Sequence, residues 1–377
     1  MPVATGFPAT ILIGRPQAAP ADNITRYVDW SSIRVEESGN HEPATAEFDF
    51  LQIATSVPSN APANQFVERA VPEGTVLIRH GSDEMFLGFI RQIKYEPEGI
   101  SRRVRITAAD VTTLLDKSII GEPVVRAAGE SDRARIKWLF ANYGWQIWRI
   151  LGNVDYSFMQ VLRANMPRQR FANITLRQAV EQVLGAASPT SNYYWDPVGR
   201  PHTFDAKNPE ALTAPYRIHV TQDPAWNECP PMDLSIERDT SGLINAWRVR
   251  GKNAAGTTRV GDRDSQIQYG LREGIVDGPD ADTLAKGKDV GQAALADSKD
   301  PLVRGFFAVE KEYAVRNGAH WHGGQKVYVT SAVHGLLAEP FRIIRVTTSY
   351  LSGKGDRRVE VEFGARRPRW LTGGSLQ

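Results

Sequence analysis

His320 and His322 form the one close histidine pair in the sequence. On a strand, residues two apart share a face, so the pair could hold a metal ion. No third ligand is evident beside it, and Trp321 with the flanking glycines also fits an ordinary polar turn ahead of a strand. Asp110 with Asp116, and Glu310 with Glu312, are carboxylate pairs of a kind that glycosidases use. That chemistry needs two acids facing a cleft about 5–9.5 Å apart, one with a raised pKa. The periodicity instead places these acids on wet strand faces or helix surfaces. Cys229 is the single cysteine, which excludes an intramolecular disulfide framework and suits assembly in a reducing cytoplasm. Beside Pro230-Pro231 it reads as a small packing residue rather than a nucleophile. No Walker loop, HExxH, GxSxG or dinucleotide fingerprint occurs. The chemistry-bearing residues therefore point away from an enzyme, with no metal or cofactor expected.

The elements around these residues repeat. Residues 74–110 read as a short apolar strand (Val76, Leu77, Ile78), an aromatic-led strand from Phe86 to Tyr95, a Glu98-Gly99 turn, and a basic strand from Arg102 to Thr107. Residues 324–364 repeat the order: Val327 to Val329, Phe341 to Leu351, a turn with Gly353 and Gly355, then Arg357 to Phe363. In the first basic strand Val104 and Ile106 oppose Arg103, Arg105 and Thr107. In the second, Val359, Val361 and Phe363 oppose Arg358, Glu360 and Glu362. This alternation at period two predicts half-buried antiparallel strands. Repeated strand–turn–strand spacing is also common in unduplicated all-β proteins. The matching element order favours a duplicated β-unit and a pseudo-symmetric ring component.

Between the repeats the periodicity changes. Ala108 to Lys117 is a short helical candidate. Ser131 is placed to cap a helix from Asp132 to Tyr143 that ends at Gly144, with Ile136, Leu139 and Phe140 on one face. Thr175 is placed to cap a helix carrying Leu176, Ala179, Val180, Val183 and Leu184, with Gly185 as its stop. Tyr193-Tyr194-Trp195 and Thr203-Phe204-Asp205 predict a hairpin. Residues 206–233 read as a connector. Strands follow at Leu234–Arg238 and Ile244–Gly251, then a polar, turn-rich stretch and a helix from Asp280 to Ser298, with Leu284, Gly291, Ala294 and Leu295 towards one side.

With 377 residues, the chain is long enough for two or more domains. Its 45 basic and 43 acidic residues leave a net charge of +2, which carries no nucleic-acid signature. The apolar run Ala9 to Gly14 lacks a basic flank and the length of a membrane span, so it reads as a first strand.

The run Ser241-Gly242-Leu243-Ile244-Asn245-Ala246-Trp247-Arg248-Val249-Arg250-Gly251 resembles a segment of tailed-phage tail hub proteins, also called baseplate hub or tail-tip proteins and related to hubs of contractile injection systems. Further pieces follow in the same order: Asp264 to Gly270, the small-residue helix to Ala296, Gly323 to Val327, and Phe341 to Val346. Upstream, Phe86 to Ile90 with Thr107 to Asp110 is similar to the family's first barrel, and Thr175 to Val180 to a helix of its inserted domain. The resemblance spans about residues 70–365.

The resemblance implies a mainly β fold with α/β insertions, built from two tail-tube-like antiparallel β-barrel or sandwich domains. The expected arrangement is a first hub β-domain over 1–118, an inserted α/β domain over 119–210, a connecting domain over 211–300, and a second hub β-domain with a C-terminal tail over 301–377. It further implies a structural virion protein of the phage tail tip, assembled in the host cytoplasm. A homotrimer would make a pseudo-sixfold ring joining the tail tube and distal tail ring to a threefold tip or fibre, with the tape-measure protein and passing DNA inside. Closed cyclic symmetry requires complementary side-by-side surfaces. Lumen-facing arginines would grip DNA phosphates and retard passage. Arg102, Arg103, Arg105, Arg357, Arg358, Arg366 and Arg367 are therefore expected at subunit or ring contacts, with Trp370 as a docking anchor. The plainer alternative is a solvated strand face. A contrasting function is a peptidoglycan- or carbohydrate-acting tail protein, with Trp138, Trp145, Trp148 and Trp195 as sugar platforms; their spacing points to core packing instead.

Overall fold

The computed structural model describes residues 9–364, apart from 17, 40–41, 54–69, 82, 99–100, 146, 148–150, 152–153, 189–190, 197–198, 206–212, 222, 252–257, 279–280, 317–318 and 351–356. The Gly99, Gly353 and Gly355 turn positions, Trp148, and the basic tail with Arg366, Arg367 and Trp370 lie outside the described residues. The protein is mainly β with α insertions. The chain divides into two compact units, Met1–Asp233 with Phe307–Glu362 and Pro368–Gln377, and Leu234–Phe306 with Phe363–Arg367.

The first unit is organised by alternating strands. Ser101–Asp110 buries Val104, Ile106 and Ala108 on one face and presents Arg105 on the other. It pairs antiparallel with Asp83–Glu98 on one side and with Thr45–Ile53 on the other. The sheet then continues through Val28–Ser38 to Leu336–Tyr350, with Val35 opposite Thr348. Beyond that it reaches Lys326–Ser331 and the parallel pair Arg217–His219 and Glu228–Cys229. At the other end stand Gly74–His80 and Ala9–Pro16. Ile11, Phe48, Phe86, Ile106 and Tyr350 share the core beneath. Each such side chain contributes about 1.5–3 kcal/mol through burial.

The repeated element order appears as two three-stranded meanders. One is Gly74–His80, Asp83–Glu98 and Ser101–Asp110; the other is Lys326–Ser331, Leu336–Tyr350 and Arg357–Gly364. Their middle strands are 16 and 15 residues long. One hydrogen-bonded ladder joins both meanders through the Val28–Ser38 and Thr45–Ile53 hairpin. Residues 217–219 and 228–229, within the expected connector, also join this sheet as strands.

A second core lies in the same unit. Ile136, Leu139 and Phe140 of the helix Asp132–Tyr143 meet Leu176, Val180, Val183 and Leu184 of the helix Leu176–Ala187. The Ala134 N–H donates to Ser131 Oγ at 3.1 Å, and Thr175 with Gln178 forms a reciprocal capping box. Gly185 does not stop the second helix, which runs on to Ala187. A helical glycine costs about 1 kcal/mol relative to alanine, and here Ala186 and Ala187 pack against the core beyond it. The expected Ala108–Lys117 helix is shorter for a related reason. Ala108 and Ala109 stay in the ladder opposite Ala46 and Thr45, so the helix is Thr112–Lys117. Ser191–Trp195 and Pro201–Asp205 form the predicted hairpin. Tyr193 and Trp195 point into the second core, while Tyr194, His202 and Phe204 form an aromatic row on the other face.

The second unit has a sheet with Ala246–Arg250 at its centre, antiparallel to Arg259–Gly261 and parallel to Glu273–Asp277. The helix Leu284–Ser298 crosses it closely enough that a Cβ on Gly291 would stand 2.6 Å from Val260 Cγ2. Thr283 caps this helix, so it starts four residues later than Asp280 suggests, and Leu284 is exposed rather than packed. Trp247 Nε1 donates to Ser298 Oγ at 2.8 Å. Among the described residues, no helix is long and apolar enough to cross a membrane.

Candidate functional site

The predicted interface arginines fall in three different environments. Arg105 stands opposite Asp49 in the ladder, and its Nε and Nη2 donate to both carboxylate oxygens at 2.9 and 3.0 Å. Arg103, two residues along on the same face, approaches Asp49 at 3.5 Å. The carboxylate is buried, while Arg105 is 44 % exposed, so the guanidinium lids the acid. This cross-strand clamp ties down the fork that could otherwise reach a neighbour. Arg102 occupies the same strand and its side chain lies outside the described residues.

Arg357 has the parity of Val359, Val361 and Phe363 and is buried with them. Arg358, on the opposite face, pairs with Asp233 at 3.0 Å and Glu360 at 2.9 Å. Arg345, from the neighbouring strand, spans Glu36 at 3.2 Å and Glu42 at 3.6 Å. The described basic strand faces are thus laced by ion pairs within the chain.

The candidate acids lie in different environments. Asp110 is buried rather than on a wet face, and it accepts hydrogen bonds from the Thr112 N–H at 3.0 Å and Thr112 Oγ1 at 2.5 Å. Burial pushes its carboxyl up to about 6, against the opposing pull of those bonds. Asp116 is bound by Arg177 Nε at 2.6 Å. Glu310 and Glu312 are exposed. Burial pushes the Cys229 thiol up to about 12, with Glu310 and Glu312 adding to the effect, so it is poorly suited to act as a thiolate.

The histidine pair also separates in role. His320 lies buried in the strand Ala319–His320, and His322 sits in the following turn with Nδ1 2.9 Å from Glu37. Their ring centres are 6.2 Å apart. Among the described residues no group of three or more His, Cys, Asp and Glu could hold a metal ion. Glu37 is a partner that spacing could not reveal, because 285 residues separate it from His322.

Of the four tryptophans considered as sugar platforms, Trp195 is in the second core, and Trp138 packs beside it beneath the Arg126 guanidinium at 4.4 Å. Trp145 departs from the core-packing expectation and is half-exposed. A stronger exposed feature is the end of the Lys326–Ser331 and Leu336–Tyr350 hairpin. Val333 is 89 % and Leu337 80 % exposed, flanked by exposed Ala332, Ala338 and Pro340. Gly335 at φ 68° and Ala338 at φ 55° shape this end, and the Ala338 N–H is held by Thr330 Oγ1 at 3.2 Å. The strand pattern predicts the hairpin but not this apolar tip.

No protein-family model and no curated protein matches the sequence. Solved structures do match, over nearly the whole chain. The tail protein from Neisseria meningitidis MC58 is 13 % identical, with a TM-score of 0.65, covering 96 % of this chain and 98 % of that one. The 43 kDa tail protein of prophage MuSo2 from Shewanella oneidensis is also 13 % identical, with a TM-score of 0.68 and the same coverage. Prophage tail protein gp18 from Listeria monocytogenes EGD-e is 12 % identical, with a TM-score of 0.59, covering 95 % of each chain. With 95–96 % of its length covered, the chain has the fold of these phage tail proteins.

Proposed function

We propose that the chain is a structural, non-enzymatic hub protein of a phage tail tip. Three copies form a pseudo-sixfold ring that joins the tail tube and distal tail ring to a threefold tip or fibre and lines the DNA conduit. The observation that carries this reading is the match in fold to phage tail proteins over 95–96 % of the chain. In the proposed ring, residues 1–118 and 301–377 supply the two wall-forming β-domains, with 119–210 inserted and 211–300 connecting them.

The charge distribution supports a conduit role. The clamps on Asp49, Glu36 and Glu360 neutralise arginines within the chain, so these strand faces offer few free cations to DNA phosphates. The exposed Val333 and Leu337 tip is the proposed apolar contact to an adjacent tail component. Arg102, Arg366, Arg367 and Trp370 remain candidate interface residues, alongside Arg103, Arg105, Arg357 and Arg358 in a role that orders the interface strands. The tape-measure protein inside and distal-tail proteins outside are the proposed partners.

Cryo-electron microscopy of tails assembled with and without this chain tests the assignment. The reading expects three copies of its density at the end of the tube, and tails that lack an ordered tip when it is omitted. Density elsewhere on the particle, or normal tips without the chain, contradicts it.

A further inference from the structure

Three segments distant in sequence converge around His322. The Gly323-Gly324 turn lies against Gly39 so closely that a Cβ on Gly39 would stand 2.3 Å from Gly324 N, and one on Gly323 would stand 2.4 Å from Gly39 N. Backbone bonds hold both sides to the same strand: the Gly39 N–H donates to Ile344 O and the Gly324 N–H to Ile343 O, each at 2.8 Å. Gly324 is also the floor for the Tyr194 ring, 3.0 Å from where its Cβ would stand. The aromatic hairpin of the second core thereby rests on this turn. Arg342 strengthens the seat by placing its guanidinium 4.2 Å from the Phe204 ring centre.

His322 Nδ1 meets Glu37 at 2.9 Å at this crossing, and its backbone N–H donates to Gln325 Oε1 at 2.9 Å. The charged groups around it come from every packed element. Glu37 belongs to Val28–Ser38, and Asp196 and Arg200 belong to the end of the aromatic hairpin. Asp196 is itself bound by Arg200 at 2.7 Å and by His202 at 3.0 Å. His320, at the end of the strand Ala319–His320, has its ring centre 6.2 Å from that of His322. Tyr194, on the adjoining hairpin, feels Glu37, Asp196, Arg200 and Arg342.

We propose that His322 and Glu37 form a proton-controlled clasp that fixes the Gly323-Gly324 turn against Gly39 and so seats the aromatic hairpin on the sheet. The pair closes fully when His322 is protonated and loosens when the imidazole becomes neutral. Burial works against the charged ring, but Glu37, aided by Asp196, overcomes it and holds the His322 pKa above its ordinary value of 6.5. Because the folded-state pKa is raised, the stabilisation is fully present below 6.5 and is lost as pH rises through the higher folded value. Each unit of that rise changes the opening equilibrium about tenfold. The clasp is independent of the proposed ring and is tested on the isolated full chain.

Hydrogen exchange followed by mass spectrometry between pH 6 and 9, corrected for intrinsic exchange, gives a direct test. Peptides covering Gly39 and Gly324 should lose protection as pH rises in the native protein. His322→Gln retains a donor for Glu37 without a titrating charge, and those peptides should then keep constant protection. An equal loss in both proteins overturns the clasp, as does constant protection in the native chain. If His322→Gln fails to fold, imidazole titration by nuclear magnetic resonance in the native chain decides. A His322 pKa above 6.5 supports the clasp, and one at or below it contradicts it.

Discussion

The final strands of the two meanders carry the same alternating pattern but are held by different means. Ser101–Asp110 is fixed on its wet face by arginines that enclose the buried Asp49, and at its end by the buried Asp110. Arg357–Gly364 ends instead on a buried ring: Phe363 lies over Gly305 so tightly that a Cβ there would meet Cζ at 2.1 Å. Its charged face carries the partly exposed Arg358 pairs and a longer approach of Arg345 to Glu362 at 4.0 Å. Similar strand order therefore specifies pairing, while the residues at each end decide whether apolar contact or charge closes the unit. Unlike endings on like strands are also what a ring that changes symmetry would require.

The apolar ending should be the more costly to damage. Phe363→Ala removes a fully buried ring and is expected to cost about 3–5 kcal/mol, read as a lower denaturation midpoint. A loss below that of the charged clamp would reverse the comparison. For the clamp, replacing Arg103 and Arg105 together by Ala leaves the buried Asp49 carboxylate without these partners. Leaving such a group unsatisfied costs about 1–3 kcal/mol, measured by the same denaturation experiment. High salt should weaken the effect of the double change only slightly, because the acid is buried.

Asp110 gives the first ending a pH signature. Its folded pKa of about 6 lies above the ordinary 3.8, so its stabilising contribution is complete below about 3.8 and is lost as pH rises through about 6. The native protein should lose about 1–3 kcal/mol relative to Asp110→Asn between these limits, since each pKa unit corresponds to about 1.4 kcal/mol. Parallel stability profiles for the two proteins would remove this distinction between the endings. The smallest effect is expected at the second charged face. Arg358→Ala should change stability by no more than about 0.5 kcal/mol, because partly exposed pairs contribute little. A change as large as that of the Arg103 and Arg105 pair would show that charge closes both meanders.

Much of this architecture is legible in the sequence because strand parity is local. Val104 and Ile106, and Val359, Val361 and Phe363, announce their buried faces. The same parity places Arg357 inside, an inference that residue type alone obscures. Helix starts at Ser131 and Thr175 are also readable, since capping needs only neighbouring residues. Gly185 misleads as a stop because Ala186 and Ala187 find a distant core. The burial of Asp110, the Asp49 clamp and the Glu37–His322 pair depend on strands brought together by the whole sheet. Their long separations leave no periodic trace. The exposed tip at Val333 and Leu337 is likewise a consequence of where the hairpin ends, not of its pattern.

The native mass of the purified chain, alone and mixed with the tail-tube protein of the same phage, tests the proposed ring most directly. A species of three 41.8 kDa chains is predicted, either alone or on mixing. A single-chain mass at every concentration and in every mixture would contradict it.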